Sequence, residues 1–162
     1  MRLVIGAIGR ARAAPEQALC DLYLERARAM GRKLGISGVD LVIVETSRAQ
    51  SAEARMKEEA ARLLSRIPQG AHVMILDEAG PAIASEAFAR RIAALRDCGL
   101  REFVFLIGGP DGLASSLREG AKEHLAFGPQ TWPHLLVRAM LAEQIYRAFT
   151  ILSGHPYHRG RG

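Results

Sequence analysis

EFVFLIGGPDG (Glu102–Gly112) is the stretch on which the reading of the fold turns. After Glu102, the next five residues are apolar or aromatic with no polar alternation, the mark of a strand buried on both faces rather than one. They run directly into Gly108-Gly109-Pro110-Asp111-Gly112, a turn rich in residues that free or fix the backbone. Moving outward, Arg2–Ile8, Val39–Glu45 and His72–Asp77 read as strands of the same kind, and His124–Phe127 as a brief fifth. Helical spacing fills the gaps: Pro15–Leu34, Ala52–Ile67, a helix from Ser85 to near Gly99, a short piece after Gly112, and Pro133–Leu152. Strands alternating with helices imply an α/β fold, a mostly parallel sheet with helices on both faces. With no internal repeat, low-complexity tract or linker, residues 1–162 read as one domain.

The helix faces can be assigned from spacing. In the first helix Leu19, Leu22, Tyr23, Ala27, Met30 and Leu34 share a side, with Pro15 suited to the first turn and Gly35 to the exit. In the second, Met56, Ala60, Leu63, Leu64 and Ile67 face inward, and Glu53, Arg55, Lys57 and Glu58 outward. Ser85 is the expected N-cap of the third, which carries Phe88, Ile92 and Leu95.

Composition narrows the classes. Hydrophobic residues make up 49% of the chain and aromatics 6%, enough for a core built on aliphatic side chains. The formal net charge of +5 favours a polyanionic partner such as nucleic acid. Cys20 and Cys98 lie far apart with no C-x-x-C pair, so both read as small buried hydrophobes rather than a disulfide or thiolate zinc site. No apolar run approaches a membrane span, and the N-terminal apolar stretch is too short for a signal peptide. The expectation is a cytoplasmic protein without membrane or metal.

Ligands of open parallel sheets bind beyond the carboxyl ends of the strands. Three loops qualify: Leu76-Asp77 onward, Gly108–Gly112, and Gly128–Pro133. There is neither G-x-G-x-x-G nor a P-loop lysine, which disfavours a dinucleotide or triphosphate. The glycines serve either a tight turn or close approach of a ligand to the main chain. The last helix carries two apolar seams, one through Leu135, Ala139, Ala142, Tyr146 and Phe149, the other through Leu141, Ile145, Ala148 and Leu152. It is covered either by a second subunit or as a central core helix. Arg138, Glu143 and Arg147 interrupt the seams; Glu143 and Arg147, four apart, share a face and can pair. The tail HPYHRGRG (His155–Gly162) mixes cations, imidazoles and a phenol, suited to phosphate and an unstacked base, or simply to solvent. Its H-x-x-H spacing lacks a carboxylate or thiolate companion for a metal.

Taken together, FLIGGPDGL (Phe105–Leu113), TWPHLLVRAMLAEQIYRAFTI (Thr131–Ile151) and HPYHR (His155–Arg159) resemble the bacterial large-subunit ribosomal RNA methyltransferase H family. The resemblance spans the chain, but its specificity lies in IGGP-x-G, T-x-PH-x-x-x-R, EQ-x-YRA and PYHR in that order. It implies a SPOUT-type fold with a C-terminal trefoil knot, a homodimer, and S-adenosylmethionine held by Leu76, Gly108, Gly109 and the run Gly128, Pro129, Gln130, Thr131, Trp132, Pro133. Trp132 and Gly128–Gln130 depart from the family's usual residues, which main-chain contacts tolerate. The implied reaction is methyl transfer to N3 of a pseudouridine in large-subunit ribosomal RNA of the assembled ribosome. Glu143, Arg147, Tyr157, His158 and Arg159 are its implied catalytic residues, with either His158 or water accepting the imide proton. Two rivals carry different expectations: a knotted enzyme acting on transfer RNA needs no PYHR tail, and a non-enzymatic RNA-binding module needs no cofactor.

Overall fold

The computed structural model describes residues 1–10 and 13–158. Five strands, β1 (Arg2–Ile8), β2 (Gly38–Val44), β3 (His72–Leu76), β4 (Glu102–Ile107) and β5 (Glu123–Leu125), form one sheet in the order β2-β1-β4-β3-β5. Every pairing is parallel; Ile5 of β1 sits opposite Leu41 of β2 on one side and Phe105 of β4 on the other. Helices α1 (Pro15–Gly31), α2 (Ala52–Leu64), α3 (Ser85–Asp97), α4 (Ser115–Gly120) and α5 (His134–Leu152) cover it, and Arg32–Leu34 forms a single 3-10 turn after α1. Element boundaries fall within three residues of those expected from spacing.

The pleat explains the unbroken apolar runs. Leu3, Ile5 and Ala7 with Phe103, Phe105 and Ile107 face one core, shared with α1, α3 and α5. Val4 and Ile8 with Val104 and Leu106 face the other, shared with α2 and α4 through Ala60, Leu63 and Leu117. Both faces of the central strands are thus out of water, and polar alternation would bury unpaired groups. Gly6 has a packing role here: a Cβ on it would lie 2.8 Å from Leu106 Cδ2 and 3.3 Å from Leu63 Cδ2.

Several helix assignments change. The inward face of α1 is Cys20, Leu24, Ala27 and Gly31, whereas Leu19 and Leu22 are exposed. Small residues win that face because α1 lies against α5; a Cβ on Gly31 would stand 3.1 Å from the Phe149 ring. Leu64, one residue past the buried Leu63, is 51% exposed. Cys20 is buried as expected, but Cys98 is exposed because it caps the open end of α3. The N-cap of α3 is Ala84 without a side-chain cap, while the Ser85 hydroxyl donates to Gln144 Oε1 at 2.8 Å and ties α3 to α5.

The two seams of α5 are both covered within the chain. Ala139, Leu141, Ala142, Ile145, Tyr146, Ala148 and Phe149 are buried among α1, α3 and the sheet. Of the two explanations open for its apolar girth, the structure shows the central core helix. Arg138 is buried with it, 1% exposed, donating to the carbonyls of Gly9 (2.9 Å) and Ile8 (3.3 Å) and to Gln17 Oε1 (3.1 Å). No carboxylate pairs with it among the described residues, and burial lowers its pKa. The carbonyls at the end of β1 take the place of a counter-charge.

Candidate functional site

Strand order brings β4, β3 and β5 side by side, so the loops leaving their carboxyl ends converge. They enclose a cavity of about 460 Å³, within the range of pockets for small ligands. Leu76, Gly108, Gly109, Gly128, Gln130, Thr131, Trp132 and Pro133 line it; of the nine positions expected to bind a cofactor, only Pro129 does not.

The glycines are required by the tight turn, and Gly108, Gly109, Gly112 and Gly128 also line the cavity. A Cβ on Gly108 would sit 2.7 Å from the Gly112 carbonyl carbon, and Gly112 itself has φ +88°. The Gly112 amide donates to the Gly109 carbonyl at 3.0 Å, closing the turn. A Cβ on Gly109 would meet Ile8 Cγ2 at 2.8 Å. The folded-back loop therefore lines the cavity with glycine main chain beside Pro110, Asp111 and Leu113. Gly128, at φ +100°, makes the third wall turn in the same way.

Side chains around the cavity are fixed by ion pairs and hydrogen bonds. Asp77, nearly buried, pairs with Arg118 at 3.3 Å, and the Thr131 hydroxyl donates to Glu78 at 2.8 Å. The Trp132 indole N–H donates to the Phe127 carbonyl at 3.2 Å. Arg55 of α2 grips Asp111 with two hydrogen bonds, 2.7 and 3.0 Å, which hold the Asp111 carboxyl below its ordinary range. His134, the first residue of α5, also lines the cavity; burial, then Arg138, lowers its pKa. Sequence reasoning did not assign Arg118, Arg55 or His134 to this site. Arg118 and Arg55 lie far from the loops they hold, and His134 was visible only as one letter of the T-x-PH motif.

A second cluster forms on the far half of α5. Glu143 Oε1 accepts from Arg147 at 2.5 Å and from the Tyr157 hydroxyl at 3.0 Å, and the Arg147 guanidinium lies 5.0 Å from the Tyr157 ring centroid. The charged pair that could have been a surface contact is thus partly buried beneath the tail. His158 Nε2 pairs with Glu86 Oε1 at 2.9 Å, and Arg147 approaches its Nδ1 at 3.5 Å. Burial, then hydrogen bonding to Tyr23 and Glu143, raises the Tyr157 pKa far above its ordinary value, so the phenol is a donor at physiological pH. Glu143, Arg147, Tyr157 and His158 come together as expected; Arg159 lies outside the described residues. Tyr23 and Glu86, from α1 and α3, join them without any sequence signal.

None of these four side chains lines the cavity. The last α5 residue that does is Val137; at 1.5 Å of rise per residue, Glu143 and Arg147 lie about 9 and 15 Å further along the helix. Among the described residues no cluster of His, Cys, Asp or Glu has metal-binding geometry, and no helix is long and apolar enough to cross a membrane.

Comparison with known proteins gives this arrangement a context. Residues 1–158 match the family model described as "Predicted SPOUT methyltransferase". The chain is similar to the ribosomal RNA large subunit methyltransferase H of Xanthobacter autotrophicus, 51% identical over 159 residues that cover 98% of this chain and 99% of that one. It is 52% identical over 159 residues to the protein of the same name from Hyphomonas neptunium, with coverage of 98% and 99%. Among solved structures, the SpoU methyltransferase AviRb of Streptomyces viridochromogenes, in complex with AdoMet, aligns with 95% of this chain and 61% of its own at 12% identity and a TM-score of 0.42.

Proposed function

The chain belongs to the SPOUT methyltransferase family, and from that membership we propose that it methylates N3 of a pseudouridine in large-subunit ribosomal RNA, using S-adenosylmethionine. It works in the cytoplasm on the assembled ribosome, as a homodimer. The observation that carries the reading is the convergence of three glycine-containing loops on one 460 Å³ cavity at the carboxyl ends of β3, β4 and β5. Glycine main chain lining part of the cavity fits a cofactor read by its edges, and the near-full-length likeness to the H enzymes supplies the substrate class. The trefoil knot implied by the resemblance belongs to this proposal, and the wholly parallel sheet with β4, β3 and β5 adjacent agrees with it.

Main-chain groups of Gly108, Gly109, Gly128 and Gln130–Pro133, together with Leu76, would hold the cofactor. When bound, its sulfonium supplies an electrophilic methyl group, so the protein need not activate the donor. What remains is alignment of the base and loss of its imide proton. Tyr157, His158 and Arg159 fold over the base, the Tyr157 phenol acting as a hydrogen-bond donor held by Glu143. Arg147 orders both Glu143 and the tail. Both ring nitrogens of His158 are already engaged, Nδ1 approached by Arg147 and Nε2 by Glu86, which favours water over His158 as the acceptor. In this arrangement the imide proton leaves to water.

The separation of cavity and tail cluster along α5 supports the dimer. One chain does not bring its own Tyr157 and Arg147 to its own cavity, so the tail of one protomer completes the cavity of its partner. The test is tritiated methyl transfer to assembled ribosomes, free large subunits and transfer RNA. Label on assembled ribosomes, mapped to a large-subunit pseudouridine, is the expected result. Label confined to transfer RNA overturns the substrate, and no cofactor binding overturns the enzyme.

A further inference from the structure

Beyond the site just described, one other concavity is dominated by charge. It lies where β2 ends and the following segment, Glu45–Gln50, runs against α2, and it has a volume of about 740 Å³. Its ionisable lining is Arg10, Glu45, Arg48, Glu58, Arg62 and Arg66, four guanidinium groups against two carboxylates. The carboxylates are each occupied: Arg10 pairs with Glu45 at 3.1 Å, and Arg62 with Glu58 at 3.2 Å. Arg48 and Arg66 are exposed and make no ion pair or side-chain hydrogen bond among the described residues. Two positive charges are left facing the groove.

The wall that carries Arg48 is rigidly held. The Ser47 amide donates to Glu59 Oε1 at 2.7 Å, and its hydroxyl donates to Glu58 Oε2 at 2.6 Å. Arg55 donates to the carbonyls of Ala49 and Gln50 while gripping Asp111 in the cofactor loop. One helix, α2, therefore fixes both the groove wall and a wall of the cavity. The groove begins at the carboxyl ends of β1 and β2, and the cavity lies at those of β4, β3 and β5. β2 is two strands from β4, about 10 Å at ordinary strand spacing.

We infer that this groove, through Arg48 and Arg66, is a docking site for the phosphodiester backbone of the substrate RNA beside the nucleotide that enters the cavity. The inference rests on the RNA methyltransferase reading. An open, polar, net-positive groove suits a phosphate chain better than an enclosed metabolite. Guanidinium forks match phosphate oxygens, and each phosphate contact releases counterions whatever the base sequence. A fixed wall lowers the ordering cost of that contact. The two arginines position RNA and take no part in the chemistry.

The test pairs wild type with the double variant Arg48→Ala/Arg66→Ala and its Arg48→Lys/Arg66→Lys counterpart. Cofactor affinity, melting temperature and transfer to assembled ribosomes are measured over a range of salt. The alanine variant is expected to keep its melting temperature, cofactor affinity and kcat. Its KM for ribosomes should rise roughly tenfold, and its salt dependence should be shallower by about one to two logarithmic units per decade. Lysines should restore most of the loss. A wild type that methylates ribosomes beside an alanine variant with unchanged KM and salt slope overturns the groove alone. A wild type that binds cofactor yet labels no RNA overturns the methyltransferase reading and this occupant with it.

Discussion

The cavity and the tail cluster lie at opposite halves of α5 and are made by different means. The cavity depends on backbone shape: three turns at the ends of adjacent strands, with glycines at Gly108 and Gly109 where a Cβ would collide. The tail cluster is side chain: two carboxylates, a guanidinium, a phenol and an imidazole from α5, α3 and the C-terminal segment, each satisfied by another. A site built from backbone tolerates varied side chains but no added Cβ. A site built from side chains loses its geometry when any one member is cut. The first suits recognition of a fixed cofactor, the second a reacting base that must be gripped and released.

The sharpest way to break this contrast is at the glycines. Gly108→Val places branched carbons against the Gly112 main chain, and we expect cofactor binding to disappear and transfer to fall by at least about a hundredfold. Equilibrium dialysis with labelled cofactor, alongside melting, reads it; retained binding means that the loop does not form the cradle. Next comes Arg147→Ala, which strips Glu143 and Tyr157 of their shared partner. Here kcat should fall by roughly a hundredfold with cofactor affinity unchanged. Mixing this variant with Gly108→Val should restore transfer, because one mixed dimer then holds an intact cavity facing an intact tail. Failure to complement, with mixed dimers verified, would place both halves of the site in one protomer.

A smaller effect is expected from Arg55→Ala. Its two hydrogen bonds to Asp111 are part-exposed, so their loss should weaken cofactor binding only about fivefold while leaving the tail cluster intact. Titration by calorimetry distinguishes that from no change. The smallest effect concerns pH. Glu86 lies below its ordinary value of 4.5, held by its own backbone amide and then by His158. A carboxyl with a lowered folded pKa contributes above its unfolded value, and the contribution is lost as pH falls through the folded one. Docking of the tail should therefore stay constant from neutral pH to about 5 and loosen only below about 4. Hydrogen exchange of residues 153–158 follows it; loosening that sets in well above pH 5 would mean that the Glu86 carboxylate does not govern the tail.

Much of this was legible in the chain. FVFLIGG (Phe103–Gly109) announced a doubly covered strand ending in a turn, because a polar residue between Phe103 and Ile107 would be buried without a partner. Leu76, Gly108, Gly109 and Gly128 were found by that logic together with the resemblance. The pairing of Glu143 with Arg147 followed from helical spacing alone. The inward face of α1 was misread because the largest apolar residues, Leu19 and Leu22, are not those that pack closest. Helix contact at short range selects Cys20, Ala27 and Gly31, and only the position of α5 shows that.

The sequence by itself determined the class of fold, the strand ends that would carry ligands, and, through its motifs, the family. These rest on local periodicity, backbone freedom and residue order, all of which are properties of neighbours along the chain. Tertiary structure decided the strand order β2-β1-β4-β3-β5, which makes one cavity of three separate loops. It also decided that α5 is buried within its own chain, that Tyr23 and Glu86 meet the tail, and that Arg48 and Arg66 face one groove. Those facts depend on which faces of distant elements meet, and that is settled by packing of the whole rather than by any stretch read alone.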